Sequence, residues 1–240
     1  MKAMILAAGF GKRLKPLTND TPKPMLKVGN QSLIERNIDS LINSGFDEIV
    51  INVSYLGNML IKHVLELFPN NNILFSKESE PLGTGGGIQN ALELLGDEPF
   101  MLINADVYHD IDLAAINKIV KVAHLVGVKN PEHNLQGDFS LDGDIVSVRS
   151  EANDYTWSGI SVINPSIFNI IKGALMDSDF TELPTDIEQG TDFRLTKTTK
   201  GQYADYSTSS WSRRERSLDS NERAAIDSHG LFTLNDYLPK

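Results

Sequence analysis

The first 130 residues alternate between apolar runs and amphipathic stretches, and this alternation constrains the fold more than any other feature. The runs "KAMILAA", "DEIVINVS", "NILFSKE" and "PFMLINADV" are predicted to be strands. Between them, "SLIERNIDSLINSG", "LGNMLIKHVLELF" and "GIQNALELL" are predicted to be helices, as is "DLAAINKIVKVA" before a strand at "HLVGVKN". Because strand–helix–strand crossovers place strands parallel, we expect an α/β fold: a mostly parallel central sheet with helices on both faces.

The pattern changes after Asn130 and predicts a small β-rich insertion. "GDFSLDGDIVSVR" indicates a hairpin turning at Asp142-Gly143, "YTWSGISVI" a strand, and "NPSIFNIIKGAL" a helix that begins with a proline. "FRLTKTTKGQYADYST" indicates a second strand pair turning at Lys200-Gly201. With no linker or repeat, residues 1–210 are predicted to form one domain, followed by a tail, residues 211–240, whose role stays open. The tail fits either a docked helix or a frayed end.

Composition excludes several functions. The 240 residues carry a net charge of −10, which argues against nucleic acid as a main partner. The chain has no cysteine, so disulfides and thiolate metal sites are excluded. No apolar run reaches membrane-spanning length and no cleavable leader is evident, so we expect a cytoplasmic protein without a membrane partner. Oligomeric state is left open.

The segment "MILAAGFGKRLKPLTNDTPKPML" indicates a phosphate site. Gly9 and Gly11 follow a strand, where backbone N–H groups can surround an anion. A Walker A loop is excluded because Arg13 follows Gly11-Lys12, and a dinucleotide fingerprint is excluded because Leu14 stands where a glycine is needed. Arg13 suits a bidentate grip on phosphate, and Lys23 between two prolines supplies a fixed point charge.

Two further features point to the same ligand. "EPLGTGGGIQNAL" places Gly83, Gly85, Gly86 and Gly87 before a helix, which suits close approach to a flat nucleobase; the alternative is a mobile loop. Asp106 in "NADV" follows a buried strand, where a lone carboxylate beside phosphates suits Mg²⁺. Asp112 is the better candidate for capping the next helix.

These motifs together resemble the sugar-1-phosphate nucleotidyltransferases, which join a nucleoside triphosphate to a sugar 1-phosphate. "VKNPEHNLQGDFSLDGD" and "YTWSGISVINPSIF" further resemble one branch, the N-acetylmuramate 1-phosphate uridylyltransferases of cell-wall recycling. The resemblance covers residues 1–208. It implies a Rossmann-like nucleotidyltransferase fold with a nucleotide-binding half (1–110) and a sugar-phosphate half (111–210), the substrates UTP and N-acetylmuramate 1-phosphate, the cofactor Mg²⁺, and a cytoplasmic location.

The resemblance also implies roles for individual residues, with Arg13, Lys23 and Asp106 as the catalytic set. The residues implied to bind the nucleotide are Ala8, Gly9, Gly11, Lys12, Arg13, Lys23, Glu80, Gly83 and Gly85. Those implied to bind the sugar phosphate are Asn104, Gly137, Glu151, Ser158 and Gly159. The implied metal ligands are Asp106 and Asp205.

One motif departs from the family pattern. "GQYADYST" keeps Gly201, Asp205 and Thr208, but Tyr203 replaces a tryptophan and Ser207 a glycine. With the unmatched tail, this departure keeps open a nucleotide-binding regulatory module without turnover. A sister enzyme with another sugar 1-phosphate or nucleotide also stays open, because loop contacts rather than the fold set such specificity. Metal-dependent release of pyrophosphate distinguishes an enzyme from such a module.

Overall fold

The computed structural model describes residues 1–116, 118–142, 145–149, 151–168, 194–197 and 231–233. Within these ranges the strands are β1 (Lys2–Leu6), β2 (Lys27–Val28), β3 (Gln31–Ser32), β4 (Glu48–Val53), β5 (Asn72–Lys77), β6 (Phe100–Asn104), β7 (Val107–His109), β8 (Ala123–Lys129), β9 (Ser140–Asp142), β10 (Ile145–Ser147), β11 (Tyr155–Ile163), β12 (Arg194–Lys197) and β13 (Leu231–Thr233). The α-helices are α1 (Leu33–Asn43), α2 (Gly57–Leu67) and α3 (Gly83–Leu95).

The central sheet has seven strands in the order β12-β8-β11-β6-β1-β4-β5. The pairs β1–β4, β1–β6, β4–β5 and β8–β12 are parallel, and β11 runs antiparallel to both β6 and β8. Short antiparallel pairs β2–β3, β9–β10 and β7–β13 lie outside this sheet. The predicted mostly parallel sheet is confirmed.

Helices cover both faces of the sheet, as predicted. Alternate residues of a strand point to opposite faces, so Ile5 packs on one side with Ile38 of α1 and Leu60 of α2. Met4 packs on the other side with Ile88 of α3. In the described part of the chain, no helix is long and apolar enough to cross a membrane.

Helix α1 begins where the sequence predicts. The Glu35 N–H donates to Ser32 Oγ at 3.3 Å, and the Ser32 N–H donates to Glu35 Oε2 at 3.2 Å, which completes a capping box. Asn37, buried in the middle of the helix, donates from Nδ2 to the Val107 carbonyl at 3.0 Å. This bond ties α1 to β7 and therefore to the segment that carries Asp106.

The helix predicted at "DLAAINKIVKVA" is wrong. The described residues of 112–123, which omit 117, contain turns, bends and the first residue of β8 but no helix. Asp112 Oδ1 accepts the Ala114 N–H at 3.0 Å, a local turn that competes with helix formation. Leu113, Ile116 and Val120 are buried nonetheless, so the apolar spacing that resembled a helix serves the core from a non-helical chain.

The second half is rich in strands, as predicted. β9 and β10 form the predicted hairpin, and its turn at 143–144 lies outside the described residues. Residues 166–168 are helical after Pro165, but the turn predicted at Lys200-Gly201 lies outside the described ranges. Leu231–Thr233 of the tail form a strand that pairs with β7. For these residues, both predicted alternatives, a docked helix and a frayed end, are therefore wrong. The domain boundary at 210 stays a prediction.

Candidate active site

A cleft of about 420 Å³ opens where β1 and β6 end side by side at the centre of the sheet. Chain connections leave this point in opposite directions, toward β4 and β5 on one side and toward β11 and β8 on the other. Such a switch point is where open α/β sheets bind ligands. The cleft is lined by the loop after β1, by the residues after β6, and by the start of α3.

The loop after β1 forms a closed turn against the segment that carries Lys23. Gly11 has a φ of +60°, and a Cβ there would lie 2.9 Å from Thr18 Cγ2 and 3.2 Å from Lys23 Cβ. Thr18 donates from Oγ1 to the Gly11 carbonyl at 2.8 Å. The predicted triphosphate residues Ala8, Gly9, Gly11, Lys12, Arg13 and Lys23 all line the cleft.

Lys23 and Asp106 form an ion pair inside the cleft through Nζ and Oδ2. Their side chains are only 15% and 17% exposed, so both charges are partly withdrawn from water. Burial lowers the pKa of Arg13, and the nearby negative charge of Asp106 acts in the opposite direction. The structure thus places two of the predicted catalytic residues, Arg13 and Lys23, close to the carboxylate of the third, Asp106.

The donors present suit a hard cation with few protein ligands. The described residues contain no group of three or more histidine, cysteine, aspartate or glutamate side chains that could hold a metal ion. The cleft offers the Asp106 carboxylate and the Asn104 amide, both of which can present oxygen. Mg²⁺ accepts such a sparse set because phosphates and water complete its shell. The second predicted ligand, Asp205, lies outside the described residues, as do Tyr203 and Ser207.

The glycine cluster differs from the prediction. It does not precede α3 but forms its first turns, since the helix begins at Gly83, whose φ is +76°. Gly83 and its neighbours Pro81 and Thr84 line the cleft. Glu80 and Gly85, predicted to contact the base, are exposed and are not among the lining residues. A run of glycines is a poor helix former, so propensity alone places the helix start too late.

Strand β11, which lies beside β6 on the side away from β1, is irregular next to the cleft residue Asn104. Its register against β8 shifts between Trp157 and Ser161, and Gly159 within this shift has a φ of +81°. A Cβ on Gly159 would lie 2.9 Å from Asn104 Nδ2. Ser158 is fully buried, and its Oγ accepts the Ile160 N–H at 3.2 Å. Gly159 therefore lies against Asn104, which lines the cleft, but Ser158 and Gly159 are not themselves among the lining residues.

Two other predicted sugar-phosphate residues lie away from the lining of the cleft. Gly137 has a φ of +62°, and a Cβ there would lie 2.6 Å from the Asn153 carbonyl oxygen. In the structure, the positive φ of Gly137 allows the loop of residues 130–139 to turn close to Asn153. Asn130 Nδ2 donates to the same carbonyl at 2.6 Å. Glu151 is exposed. The structure does not bring these residues to the cleft.

The sequence interpretation missed Asn52 and Glu78. Asn52 lines the cleft at the end of β4, and its Oδ1 accepts the Ala7 N–H at 2.7 Å. Its Nδ2 donates to Glu78 Oε1 at 2.7 Å. Asn52 could have been found from the sequence, because it is a polar residue inside the apolar strand "IVINV". A buried polar side chain requires a specific hydrogen-bond partner.

Comparisons with known proteins agree with this geometry. The model of the nucleotidyl transferase family matches residues 2–127. The N-acetylmuramate alpha-1-phosphate uridylyltransferase of Neisseria meningitidis serogroup B is 44% identical over 184 residues, covering 72% of this chain and 79% of that protein. The mannose-1-phosphate guanyltransferase of Aspergillus oryzae is 34% identical over 211 residues, and this chain spans 54% of its length.

A solved structure shows the same fold. HddC from Yersinia pseudotuberculosis is 26% identical with a TM-score of 0.60, covering 81% of this chain and 89% of that one. The same protein has been solved in complex with GMP-PN, where it is 25% identical with a TM-score of 0.60, covering 82% and 90% of the two chains. With the cleft, the family match and these relatives in agreement, the chain belongs to the nucleotidyl transferase family and is a sugar-1-phosphate nucleotidyltransferase.

Proposed function

We propose that this protein transfers UMP from UTP to N-acetylmuramate 1-phosphate, giving UDP-N-acetylmuramate and pyrophosphate, in the recycling of cell-wall peptidoglycan. The observation that carries the proposal is the convergence of Arg13, Lys23 and Asp106 in the cleft at the switch point of the sheet. The Neisseria relative supports this choice of sugar and base, because it is 44% identical and carries that name. A cytoplasmic location belongs to the proposal, since the reaction consumes a nucleoside triphosphate.

The proposed reaction needs no protein nucleophile. An oxygen of the sugar phosphate attacks the α-phosphorus of UTP, a new P–O bond forms, and the bond to the leaving pyrophosphate breaks. The task of the protein is to align the reactants and to neutralise charge on the phosphates. Arg13 offers a planar pair of donors to phosphate oxygens, and Lys23 offers a compact charge toward the α-phosphate.

Asp106 is proposed to hold Mg²⁺, together with Asp205. When bound, Mg²⁺ supplies positive charge at the reacting phosphates. The backbone of Ala8, Gly9, Gly11 and Lys12 would hold the triphosphate, and Gly83 would admit the base. Glu80 and Gly85 stay proposals for the base side, which would need the exposed start of α3 to move inward. Asn104, Ser158 and Gly159 would face the sugar phosphate, and Gly137 and Glu151 would act only if the 130–151 region closes.

A guanylyltransferase acting on mannose 1-phosphate is the second candidate. The Aspergillus oryzae relative carries that name, and the HddC structure contains a guanine nucleotide analogue. A uridylyl- or thymidylyltransferase for glucose or N-acetylglucosamine 1-phosphate uses the same chemistry and is a further alternative. A nucleotide-binding module without turnover is the alternative from another class.

Pyrophosphate release tests these candidates directly. Purified protein is incubated with Mg²⁺ and either UTP or GTP, together with N-acetylmuramate, N-acetylglucosamine, glucose or mannose 1-phosphate. We expect release with UTP and the muramate sugar, and none when EDTA removes the metal. Release only with GTP and mannose 1-phosphate would favour the second candidate. Binding of UTP without release from any combination would favour the module.

A further inference from the structure

A chain of buried hydrogen bonds connects the two loops that face each other across the nucleotide side of the cleft. The Ala7 N–H, at the start of the phosphate turn, donates to Asn52 Oδ1 at 2.7 Å. Asn52 Nδ2 donates to Glu78 Oε1 at 2.7 Å, and Glu78 Oε2 accepts the Leu82 N–H, just before α3, at 2.9 Å. Asn52 is 2% exposed and Glu78 is 8% exposed. A buried carboxylate and a buried amide therefore connect the phosphate turn to α3.

The two ends of this series of hydrogen bonds determine which side-chain groups must donate and which must accept. The Ala7 and Leu82 backbone groups are both donors, so the side-chain pair must present an acceptor at each end. Asn52 uses its amide oxygen for Ala7, and its Nδ2 therefore faces Glu78. Position 78 must then accept at both ends, which a carboxylate does and an amide does not. The pair therefore requires one amide and one carboxylate. The donor–acceptor pattern is satisfied whichever of the two positions carries the carboxylate.

Two packing features hold the pair in place. The Glu78 N–H donates to the Val53 carbonyl at 2.9 Å, which extends the pairing of β4 and β5 to this residue. Gly87 of α3 packs against the pair, since a Cβ there would lie 2.7 Å from Asn52 Nδ2 and 3.0 Å from Glu78 Oε1. The helix backbone thus closes over the hydrogen bonds, which keeps water from replacing them.

We propose that Asn52 and Glu78 are positioning residues that set the separation between the phosphate turn and the start of α3, and thereby the affinity for the nucleoside triphosphate. The inference rests on the proposed nucleotide site. Neither residue is assigned a contact with the reacting atoms. Their effect passes through Ala7 and Leu82, the backbone ends of the two loops.

Exchanging the two groups tests the proposal. Asn52→Asp places two carboxylates together, and Glu78→Gln leaves a backbone donor or an amide without an acceptor. The double variant Asn52→Asp/Glu78→Gln restores every donor–acceptor match and leaves the net charge unchanged. In it, the carboxylate introduced at position 52 accepts from the Ala7 N–H and from the amide introduced at position 78, whose oxygen accepts the Leu82 N–H. We expect each single variant to raise the KM for UTP by about tenfold or more, with a smaller change in kcat, because a buried polar group loses its partner.

The double variant is expected to return the KM for UTP to within about threefold of the wild type, as in a double-mutant cycle with strong coupling. A double variant with a KM as high as that of the single variants overturns the proposal. If a single variant does not fold, the double variant decides alone, because the swap predicts that it folds and binds UTP. A double variant that fails to fold also overturns the proposal.

The opposite end of the same two strands supplies a matched control. Asn72 Nδ2 donates to Glu48 Oε2 at 2.8 Å, an exposed amide–carboxylate bond between β5 and β4 that lies away from the cleft. Glu48 also pairs with Lys2 Nζ through Oε1 at 2.5 Å. Glu48→Gln and Asn72→Asp, singly or combined, are nevertheless expected to leave the KM for UTP unchanged, because none of these residues lines the cleft. A comparable rise in KM from these variants would show a general effect of altering β4 and β5 and would contradict the specific role of the buried pair.

Amide hydrogen exchange separates failure of this inference from failure of the proposed function. In the protein without ligand, the single variants should accelerate exchange at Ala7 and Leu82, and the double variant should restore slow exchange. This readout requires no turnover. Wild-type protein that releases no pyrophosphate from UTP contradicts the proposed function, whereas unchanged exchange in all variants contradicts the positioning role.

Discussion

Asp106 is the residue on which the charges of the cleft converge. It pairs with Lys23, and its charge acts on Arg13 against the effect of burial. It follows β6 closely, so a fully buried strand of the sheet determines where its carboxylate lies. A change at this one side chain therefore alters the electrostatic environment of both Arg13 and Lys23.

Replacing Asp106 with asparagine should therefore remove activity without unfolding the protein. We expect kcat for pyrophosphate release to fall by about a hundredfold or more, because the variant loses the carboxylate proposed to hold Mg²⁺. The free energy of unfolding should fall by about 1–3 kcal/mol, since the ion pair is largely shielded from water but the side-chain volume is kept and the asparagine oxygen can still accept from Lys23 Nζ. Steady-state kinetics and urea unfolding provide both values.

Asp110→Asn is the matched control, because Asp110 lies four residues further on and is exposed. It should leave both quantities near the wild-type values. An Asp106→Asn variant with wild-type turnover would contradict the assignment of the metal carboxylate.

At the scale of the element, α3 shows that neighbouring glycines can have opposite requirements. A Cβ at Gly85 would meet nothing within 4 Å, whereas one at Gly87 would press on Asn52 and Glu78. Gly85 lies on the open side of the helix and Gly87 on the buried side. The glycine run therefore contains at least one position where space demands glycine and one where it does not.

Gly85→Ala and Gly87→Ala should consequently shift stability in opposite directions. Gly85→Ala should raise the free energy of unfolding by about 0.5–1 kcal/mol, because alanine loses less entropy in a helix. Gly87→Ala should lower it by about 1–3 kcal/mol, because the added methyl group overpacks a buried site. Urea unfolding of both variants measures the difference, and equal shifts would contradict the packing of α3 described above.

How far the sequence predicts an element depends on whether its determinants are local. The start of α1 follows from Ser32 and Glu35, which are three residues apart and satisfy each other. The segment at 112–123 has the spacing of a helix, but its buried residues Leu113 and Val120 serve a core assembled from distant strands. The Asn52–Glu78 bond joins residues 26 apart and depends on the alignment of β4 with β5, which no local pattern encodes.

At the scale of the whole molecule, the cleft lies between two parts of one sheet. The parallel strands β1, β4 and β5 lie on one side, and β11 and β8 lie on the other. The location of Arg13, Lys23 and Asp106 in this cleft was predictable because each belongs to a short motif that can be recognised in the sequence by itself. The exclusion of Gly137 from the cleft lining was not predictable, since it depends on how the 130–139 loop folds against Asn153.

Global stability should depend on pH through His109 in β7. Both ring nitrogens are inaccessible to solvent, and burial lowers the pKa of His109 from 6.5 to about 4. Between these values the unfolded chain binds a proton that the folded protein does not bind, so stability falls as pH decreases through this window. The expected loss is about 3 kcal/mol between pH 7 and pH 4.

Urea unfolding at several pH values, for wild type and His109→Gln, isolates this contribution from that of the carboxylates. The variant should show a flatter dependence between about pH 6.5 and 4.5, where histidine protonation of the unfolded chain dominates. Parallel curves for the two proteins would show that His109 has the same pKa in the folded and unfolded states and would contradict its burial in a neutral form.

The ion pair between Lys23 and Asp106 also has a consequence for the charge of the ligands that we expect the cleft to accept. Each member of the pair is the other's counter-ion, and both are largely shielded from water. A ligand of one sign competes with one member of the pair for the other, and it weakens a charge interaction that is largely shielded from water. A ligand that brings an anion and a cation together can exchange partners with both at once. We therefore expect the cleft to bind the metal–nucleotide complex of the proposed reaction more tightly than the metal or the nucleotide alone.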